Sequence, residues 1–207
     1  MRGVSEQHYF TASPAGPAEE RTHTFTIRGR EHTVTTASGV FSADRLDLGT
    51  RVLLDHVADP PATGTLVDVG CGWGPITLAL ADAAPHATVL ATDVNERSLA
   101  LTAANAAAAR HAHVRTVEAS ALLDELRAAG TAVDLIWSNP PVRIGKAALH
   151  RLLTDWLGLL AADGEAWLVV HKNLGADSLS RWLEAEGWAV SKDASSKGFR
   201  VLRVTRP

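Results

Sequence analysis

The sequence has little cysteine and no long apolar run. Cys71 is the single cysteine among 207 residues, which excludes an intramolecular disulfide and favours a reducing compartment. The first 21 residues contain no apolar segment typical of a secretory signal. Nowhere do about 18 apolar residues follow one another without charge, the length that a membrane-spanning helix needs. These absences predict a cytoplasmic protein without a membrane partner.

Neither sign of charge dominates the sequence. Lysine and arginine number 20 against 23 aspartate and glutamate, giving a formal net charge of −3. The chain therefore lacks the global positive field of many nucleic-acid binders, although a local basic patch can still supply phosphate contacts. Hydrophobic residues make up 46% and charged residues 21% of the chain. This balance and the length fit one α/β domain with a modest appendage.

The first part of the chain predicts the appendage. Residues 1–20 are rich in proline, alanine and glycine and indicate an extended arm. From Thr22 to Ala37, β-branched and aromatic residues alternate with polar ones around Gly29, a pattern typical of a β-hairpin with a tight turn. A loop (39–47) and an amphipathic helix (46–58) follow. We therefore divide the chain into an N-terminal arm and hairpin at 1–45 and a main domain at 46–207.

From residue 65 onward, short apolar strands alternate with helical segments. This alternation predicts a parallel sheet with helices on both faces. The two final strands are too close in sequence for a crossover helix, so the last strand is predicted to be antiparallel. We expect strands at residues 65–69, 87–93, 113–118, 133–139, 165–171, 188–191 and 199–204, separated by helices up to the pair of closing strands.

A glycine-rich segment follows the first of these strands. Gly70, Gly72 and Gly74 alternate with other residues, and Asp68 lies two positions before them. Glycines permit a tight turn and let a ligand lie against bare backbone. Dinucleotide sites expect a different spacing, G-x-G-x-x-G, whereas D-x-G-x-G-x-G resembles the first motif of class I methyltransferases. A nucleotide-binding domain or a plain glycine-rich turn remains an alternative.

Asp93 ends the next strand, where an acidic residue can accept hydrogen bonds from both hydroxyls of a ribose. The alternative is that Asp93 caps the following helix, but Asn95 can serve as that cap. Val94 would then lie beside an adenine ring.

The segment Ser138-Asn139-Pro140-Pro141 ends the fourth strand at the same edge of the sheet. The two prolines lack N–H groups and hold Asn139 extended. The Asn139 side chain and the Pro140 main chain can therefore each offer a carbonyl oxygen to an exocyclic amine, which donates two hydrogen bonds. Orienting that amine for direct displacement needs positioning and oriented dipoles alone. An ordinary Pro-Pro turn is the alternative.

Taken together, these motifs resemble the small-subunit ribosomal RNA guanine-N2 methyltransferases, in the branch without a duplicated N-terminal domain. The match extends from Gly39 to Arg203 and includes GVFSADRLDLGTRVLL, VDVGCGWGPI, ATDVN, SNPPVRIGK and KGFRVLR. The resemblance implies a Rossmann-like α/β fold with a seven-stranded, mostly parallel sheet. It also implies S-adenosylmethionine as cofactor, S-adenosylhomocysteine as product, and a loop around Phe41 and Asp47 that closes over the site.

The site residues expected from the motifs and the resemblance fall into two groups. Asn139 and Pro140 are expected to act on the acceptor amine. Family members often carry an acidic residue where this chain has Ser120, and an aromatic residue where it has Val142; Phe41, Tyr9 or Phe199 is then expected to stack on the base. The cofactor is expected to contact Asp68, Gly70, Cys71, Gly72, Trp73, Gly74, Asp93, Val94, Ser120, Ala121 and Asn139, and the substrate to contact Phe41, Pro141, Val142, Arg143 and Lys146.

Other features point to a non-metal enzyme that acts on RNA. The nine histidines show no zinc-ligand spacing, so no metal is expected. Cys71 lacks the partners of a nucleophile, and Trp73 is expected to shield the cofactor. A candidate phosphate-binding surface consists of Arg143 and Lys146, extended by Arg21, Arg28, Arg30, Lys192, Lys197 and Arg200; for each residue taken alone, a solvated surface charge is the favoured alternative.

The motifs leave the acceptor open. Ribosomal RNA or a ribosomal particle is the expected partner, with guanine N2 as acceptor and the enzyme a monomer or weak homodimer. The alternatives are adenine N6, a protein glutamine amide or a small amine, since Asn-Pro-Pro segments serve several planar amines. A non-catalytic cofactor-binding module that contacts RNA or protein is a further alternative.

Overall fold

The computed structural model of the protein describes residues 18–207, which form a hairpin and a larger mixed sheet with flanking helices. Two single-turn 3₁₀ helices, Val142–Ile144 and Lys172–Leu174, follow the sixth and seventh strands. The remaining elements are β1 (Glu20–Ile27), β2 (Arg30–Ala37), α1 (Leu48–His56), β3 (Thr65–Val69), α2 (Pro75–Ala83), β4 (Thr88–Asp93), α3 (Glu96–Ala108), β5 (Val114–Glu118), α4 (Ala119–Ala129), β6 (Val133–Ser138), α5 (Lys146–Leu157), β7 (Leu160–His171), α6 (Ala176–Ala185), β8 (Ala189–Ser196) and β9 (Phe199–Thr205).

The larger sheet has seven strands in the order β5-β4-β3-β6-β7-β9-β8. The pairs among β3 to β7 are parallel, and β9 is antiparallel to both β7 and β8. This confirms the predicted Rossmann-like α/β sheet with an antiparallel last strand. The chain passes to one side of β3 through β4 and β5, and to the other through β6. In open α/β sheets, ligands bind beyond the carboxyl ends of the strands at such a reversal.

Both faces of the sheet are buried under helices. Leu66, Val67 and Asp68 are fully buried, as expected for a central parallel strand. On β6 the side chains of Leu135 and Trp137 pack into one apolar layer and that of Ile136 into the other. The strand ends thereby lie at one rigid edge, where the segments after β3 and β6 are neighbours.

The hairpin packs against the larger sheet's helices. Its Ile27 and Val34 are 1% and 2% exposed and belong to the same apolar cluster as Trp73. Asn105 on α3 accepts a hydrogen bond from the Thr35 N–H at 2.8 Å and donates to the Thr35 carbonyl at 2.9 Å. The predicted domain division between residues 45 and 46 stays a prediction.

The helix boundaries follow their caps. Helix α1 begins at Leu48, two residues later than predicted, because the Asp47 side chain accepts a hydrogen bond from the Thr50 N–H at 3.0 Å. Asn95 caps α3 through the N–H groups of Arg97 and Ser98, as predicted. Within residues 18–207, no helix is long and apolar enough to cross a membrane, and no group of His, Cys, Asp and Glu side chains is arranged to hold a metal ion.

Candidate active site

A cavity of about 520 Å³ opens at the carboxyl ends of β3, β4, β6 and β7. It brings together residues that are far apart in the sequence, from residue 41 to residue 199. The predicted site residues on its wall are Phe41, Gly70, Gly72, Asp93, Val94, Asn139, Pro140, Pro141, Val142 and Arg143.

The glycine loop presents bare backbone to this cavity. Gly70 and Gly72 have φ of +84° and +59°, and a Cβ added to either would meet no other atom within 4 Å. The N–H groups of Gly70 and Cys71 donate to the Thr92 carbonyl at 2.8 and 3.0 Å, which ties the loop to β4. A side chain at either glycine would thus occupy the space that the cavity leaves for a ligand. Gly74 has a packing role instead, because its Cβ would meet Thr102 at 3.1 Å.

Asp93 lies beside the glycine loop on the cavity wall. One carboxylate oxygen accepts a hydrogen bond from the Gly72 N–H at 3.1 Å, and the other accepts one from the Asn95 N–H at 2.9 Å. Burial raises the pKa of Asp93, and the hydrogen bonds from backbone N–H groups oppose that rise. Val94 follows with its side chain 42% exposed. A carboxylate on the cavity wall and an adjacent apolar surface match the requirements of a nucleoside ligand.

Asp68 lies beneath the glycine loop and is absent from the lining of the cavity. It is fully buried, and one of its oxygens accepts a 2.6 Å hydrogen bond from the Thr77 hydroxyl. The other oxygen has no hydrogen-bond partner among the described residues. Burial raises the pKa of this carboxyl from 3.8 to about 7. The expected contact between this buried carboxylate and the cofactor stays a prediction.

Cys71 and Trp73 are buried and are absent from the lining of the cavity. Cys71 is 3% exposed and receives a hydrogen bond from the Thr102 hydroxyl at 3.4 Å; burial raises the pKa of its thiol well above 9. The Trp73 ring stacks on Phe25 with centroids 5.2 Å apart, and its Nε1 donates to the Ser42 carbonyl at 3.2 Å. The hairpin takes up the Trp73 ring, and the expectation that Trp73 shields the cofactor stays a prediction.

After β5, two of the residues expected to contact the cofactor lie outside the lining of the cavity. Ser120 and Ala121 are exposed and do not line the cavity, whereas Ala119 does. The reason is that α4 begins directly after the strand, with Glu118 as its cap. The Glu118 carboxylate accepts hydrogen bonds from the Ser120 hydroxyl at 2.6 Å and the Ala121 N–H at 3.0 Å, and the first of these lowers its pKa.

Asn139 directly follows β6, and two side chains bind its amide nitrogen. Its Nδ2 donates to Asp47 Oδ2 at 2.9 Å and to Thr50 Oγ1 at 3.0 Å. The Pro140 carbonyl accepts a hydrogen bond from the Val142 N–H at 2.8 Å, which leaves it one further lone pair. The preceding Ser138 hydroxyl donates to the Val69 carbonyl at 2.6 Å, which fixes this strand end against the strand that precedes the glycine loop.

The far end of the cavity contains residues that the sequence analysis did not select. His171 ends β7, Asn173 and Leu174 follow it, and all three line the cavity. The His171 ring meets the Phe199 ring edge-on, with centroids 4.9 Å apart, and its Nδ1 accepts a hydrogen bond from the Asn173 N–H at 3.2 Å. Their position directly after a parallel strand was the signal that could have identified them. Among the stacking candidates, Phe41 and Phe199 line the cavity, while Tyr9 lies outside the described residues.

Ion pairs reduce the expected basic patch. Arg28 and Arg30 pair with Asp59 and Asp82, each at 2.7 Å. Arg143 lines the cavity, whereas Lys146 begins α5 and does not. Asp177 pairs with Lys192 at 3.1 Å and lies 3.9 Å from Arg200, and Arg21 pairs with Asp44 at 2.9 Å.

Known proteins resemble this chain over nearly its whole length. YbxB of Bacillus subtilis is 34% identical over 200 residues, covering 97% of this chain and 98% of its own. The ribosomal RNA large subunit methyltransferase G of Streptomyces avermitilis is 32% identical over 181 residues, covering 84% of this chain and 45% of its own. The Thermus thermophilus 16S rRNA N2 G1207 methyltransferase, solved with AdoMet and guanosine, superposes with a TM-score of 0.73 at 23% identity, covering 92% of this chain and 52% of its own.

The chain therefore spans nearly all of YbxB but about half of each of the two methyltransferases. The sequence model described as methyltransferase small domain matches residues 31–203, which include every element from β2 to most of β9. The resemblance drawn from the motifs is thereby confirmed, and the chain belongs to the methyltransferase small domain family.

Proposed function

We propose that the protein transfers a methyl group from S-adenosylmethionine to an exocyclic amine of a ribosomal RNA base, with guanine N2 as the acceptor. The observation that carries this proposal is the shared cavity. It joins the glycine loop and Asp93, the residue expected to bind a ribose, at one end to the Asn139 amide at the other. The related ribosomal RNA methyltransferases support RNA as the substrate.

The residues present fit the proposed cofactor. Bound S-adenosylmethionine supplies an electrophilic methyl group on a sulfonium. Gly70 and Gly72 expose backbone without side chains, and Asp93 offers acceptor positions to ribose hydroxyls. Val94 provides an apolar surface next to it for a base. A Cβ added at either glycine would enter the open space in which this ligand would bind.

The acceptor amine is held by two carbonyl oxygens. Asn139 Oδ1 and the remaining lone pair of the Pro140 carbonyl each accept one N–H of the amine. Accepting both hydrogens fixes the direction of the nitrogen lone pair and increases electron density on the nitrogen. The protein thereby contributes orientation and oriented dipoles, with no covalent bond to the chain. The N–C bond would form as the S–C bond of the sulfonium breaks, S-adenosylhomocysteine would leave, and the surplus amine proton would pass to solvent.

The cavity rim suits a flipped or single-stranded base. Phe41 and Leu174 are 49% and 46% exposed although both are large apolar residues, and both line the cavity. Unstacked bases bind to such apolar faces. We further propose a cytoplasmic protein, monomeric or weakly dimeric, that acts on ribosomal RNA or an assembled ribosomal particle.

Two linked measurements test the proposal. Calorimetric titration with S-adenosylhomocysteine tests the cofactor end. Labelled methyl transfer to ribosomal particles and to deproteinised ribosomal RNA, followed by nucleoside analysis, tests the acceptor end. We expect binding and labelled N2-methylguanosine. Labelled N6-methyladenosine, or label on protein alone, would contradict the guanine assignment, and absence of binding would contradict the methyltransferase proposal.

A further inference from the structure

We propose that Asp47 and Thr50 are positioning residues that fix the direction of the Asn139 amide, so that its carbonyl faces the acceptor. This inference rests on the proposed function, in which Asn139 accepts a hydrogen bond from the substrate amine. Asp47 and Asn139 are 92 residues apart in the sequence, and the segment between them includes four strands of the sheet.

The chemistry of Asp47 decides which way the amide points. An ionised carboxylate can only accept hydrogen bonds. The Asn139 group that lies 2.9 Å from Asp47 Oδ2 must therefore be its NH₂, because a carbonyl there would place two oxygens in repulsive contact. The Thr50 hydroxyl, 3.0 Å from the same nitrogen, strengthens this choice but does not force it, since a hydroxyl can also donate.

The start of α1 holds the carboxylate in place. Asp47 Oδ2 also accepts the Thr50 N–H at 3.0 Å as the helix cap. Thr50 is 4% exposed, so its hydroxyl has little freedom to move. Gly49 lies between them, and a Cβ there would come within 2.8 Å of the Phe199 ring and 3.0 Å of Asp47 Oδ2. Asp47, Gly49 and Thr50 therefore each have a defined contact at the start of α1, and these contacts hold the Asp47 carboxylate in place.

The direction of the amide sets the class of acceptor. With its nitrogen committed to Asp47 and Thr50, Asn139 presents only Oδ1 to the substrate. An oxygen binds a group that donates, such as an exocyclic amine, and repels a carbonyl. A reversed amide would present N–H groups to the substrate amine and lose the hydrogen bond on which methyl transfer depends.

Asp47→Ser tests this inference while keeping the helix cap. Serine caps helices as well as aspartate does, but its hydroxyl lies one bond closer to the backbone and does not reach the Asn139 amide, so that amide is no longer forced into one direction. We expect kcat to fall about 10- to 100-fold, less than the roughly 10²- to 10³-fold loss when an oriented donor is removed outright. The Kd for S-adenosylhomocysteine and the Tm are expected to stay at wild-type values.

Thr50 supplies the matched control. Thr50→Ser keeps the hydroxyl and is expected to retain activity, while Thr50→Val removes it and is expected to lower kcat. The double variant Asp47→Ser with Asn139→Ala is expected to be no slower than Asn139→Ala alone, because Asp47 acts through Asn139. A wild-type kcat for Asp47→Ser, or losses that add fully in the double variant, would overturn the inference.

A measurement that needs no substrate separates this inference from the proposed function. The side-chain NH₂ resonance of Asn139, assigned by its loss in Asn139→Ala, is expected to exchange slowly with solvent in the wild type and faster in Asp47→Ser. Equal exchange in both would refute the fixed amide even if methyl transfer is confirmed. Slow exchange that depends on Asp47, in a protein without methyl transfer, would leave the fixed amide standing and refute the proposed function.

Discussion

Replacing Asp93 by alanine is expected to weaken cofactor binding before it affects any later step. Its two oxygens already accept the Gly72 and Asn95 N–H groups, and a carboxylate offers about four acceptor positions in all. The Val94 N–H and the Ser98 hydroxyl also hydrogen-bond to this carboxylate, so the two hydroxyls of a ribose would share its acceptor oxygens with them. At roughly 1.5–3 kcal/mol for each hydrogen bond to a charged group, losing both corresponds to about 3–6 kcal/mol, or roughly a 10²- to 10⁴-fold higher Kd.

The assay is calorimetric titration with S-adenosylhomocysteine on three variants. Asp93→Ala is expected to bind far more weakly than wild type, whereas Asn139→Ala is expected to bind normally and lose most turnover. Asp124→Ala, an exposed carboxylate on α4, serves as the matched control. Asp93→Asn keeps one acceptor and is expected to fall in between, which separates ligand contacts from damage to the loop. Wild-type affinity in a folded Asp93→Ala would refute the proposed ribose contact.

Three further predictions concern other parts of the molecule. Gly70→Ala is expected to raise the Kd for S-adenosylhomocysteine at least tenfold, since φ is +84° and the new Cβ enters the cavity; a wild-type Kd by calorimetry would contradict this. Asp68 has its folded-state pKa raised from 3.8 to about 7, so the folded state holds its proton more tightly and the ligand-free protein loses stability as pH rises between those values. Asp68→Asn is expected to remove that loss in urea unfolding at pH 5 and pH 8; an unchanged pH dependence would refute it. Asp82→Ala leaves the buried His32 Nε2 without its acceptor at 2.8 Å, and the unfolding free energy is expected to fall by about 1–3 kcal/mol, with no change in cofactor affinity.

The fold could be predicted because local patterns and packing agree. Short apolar strands alternate with helices, and both faces of the sheet are covered as that pattern requires. The antiparallel β9 followed from the short connection after β8. The start of α1 shifted by two residues because Asp47 caps it, whereas β7 begins five residues before its predicted start and β8 ends five residues after its predicted end.

The site was predictable where function depends on a motif in one segment. Gly70, Asp93 and Asn139 line one cavity, as their positions after strands imply. Side-chain direction was not predictable in the same way. Trp73 belongs to the glycine loop, but the hairpin, about 50 residues earlier in the chain, supplies the Phe25 ring on which it stacks.

Contacts between distant segments explain the other omissions. The hydrogen bond from Asn139 to Asp47 joins residues with no shared local pattern, so sequence spacing does not reveal it. His171 ends β7, and Leu174 follows shortly after it. Both reach the cavity because β7 lies beside β6. The charged residues expected to bind phosphate include several whose partners are acidic side chains on other elements, which composition does not show.

The proposal that Asn139 directs methyl transfer to an exocyclic base amine is tested most directly by comparing two proteins. Wild type and Asn139→Ala are incubated with ribosomal RNA and labelled S-adenosylmethionine, and the nucleosides are then separated. We predict labelled N2-methylguanosine from the wild type and little from the variant, with equal S-adenosylhomocysteine affinity in both. Equal labelling by both proteins, or label at a ring carbon or a ribose, would contradict the proposed site.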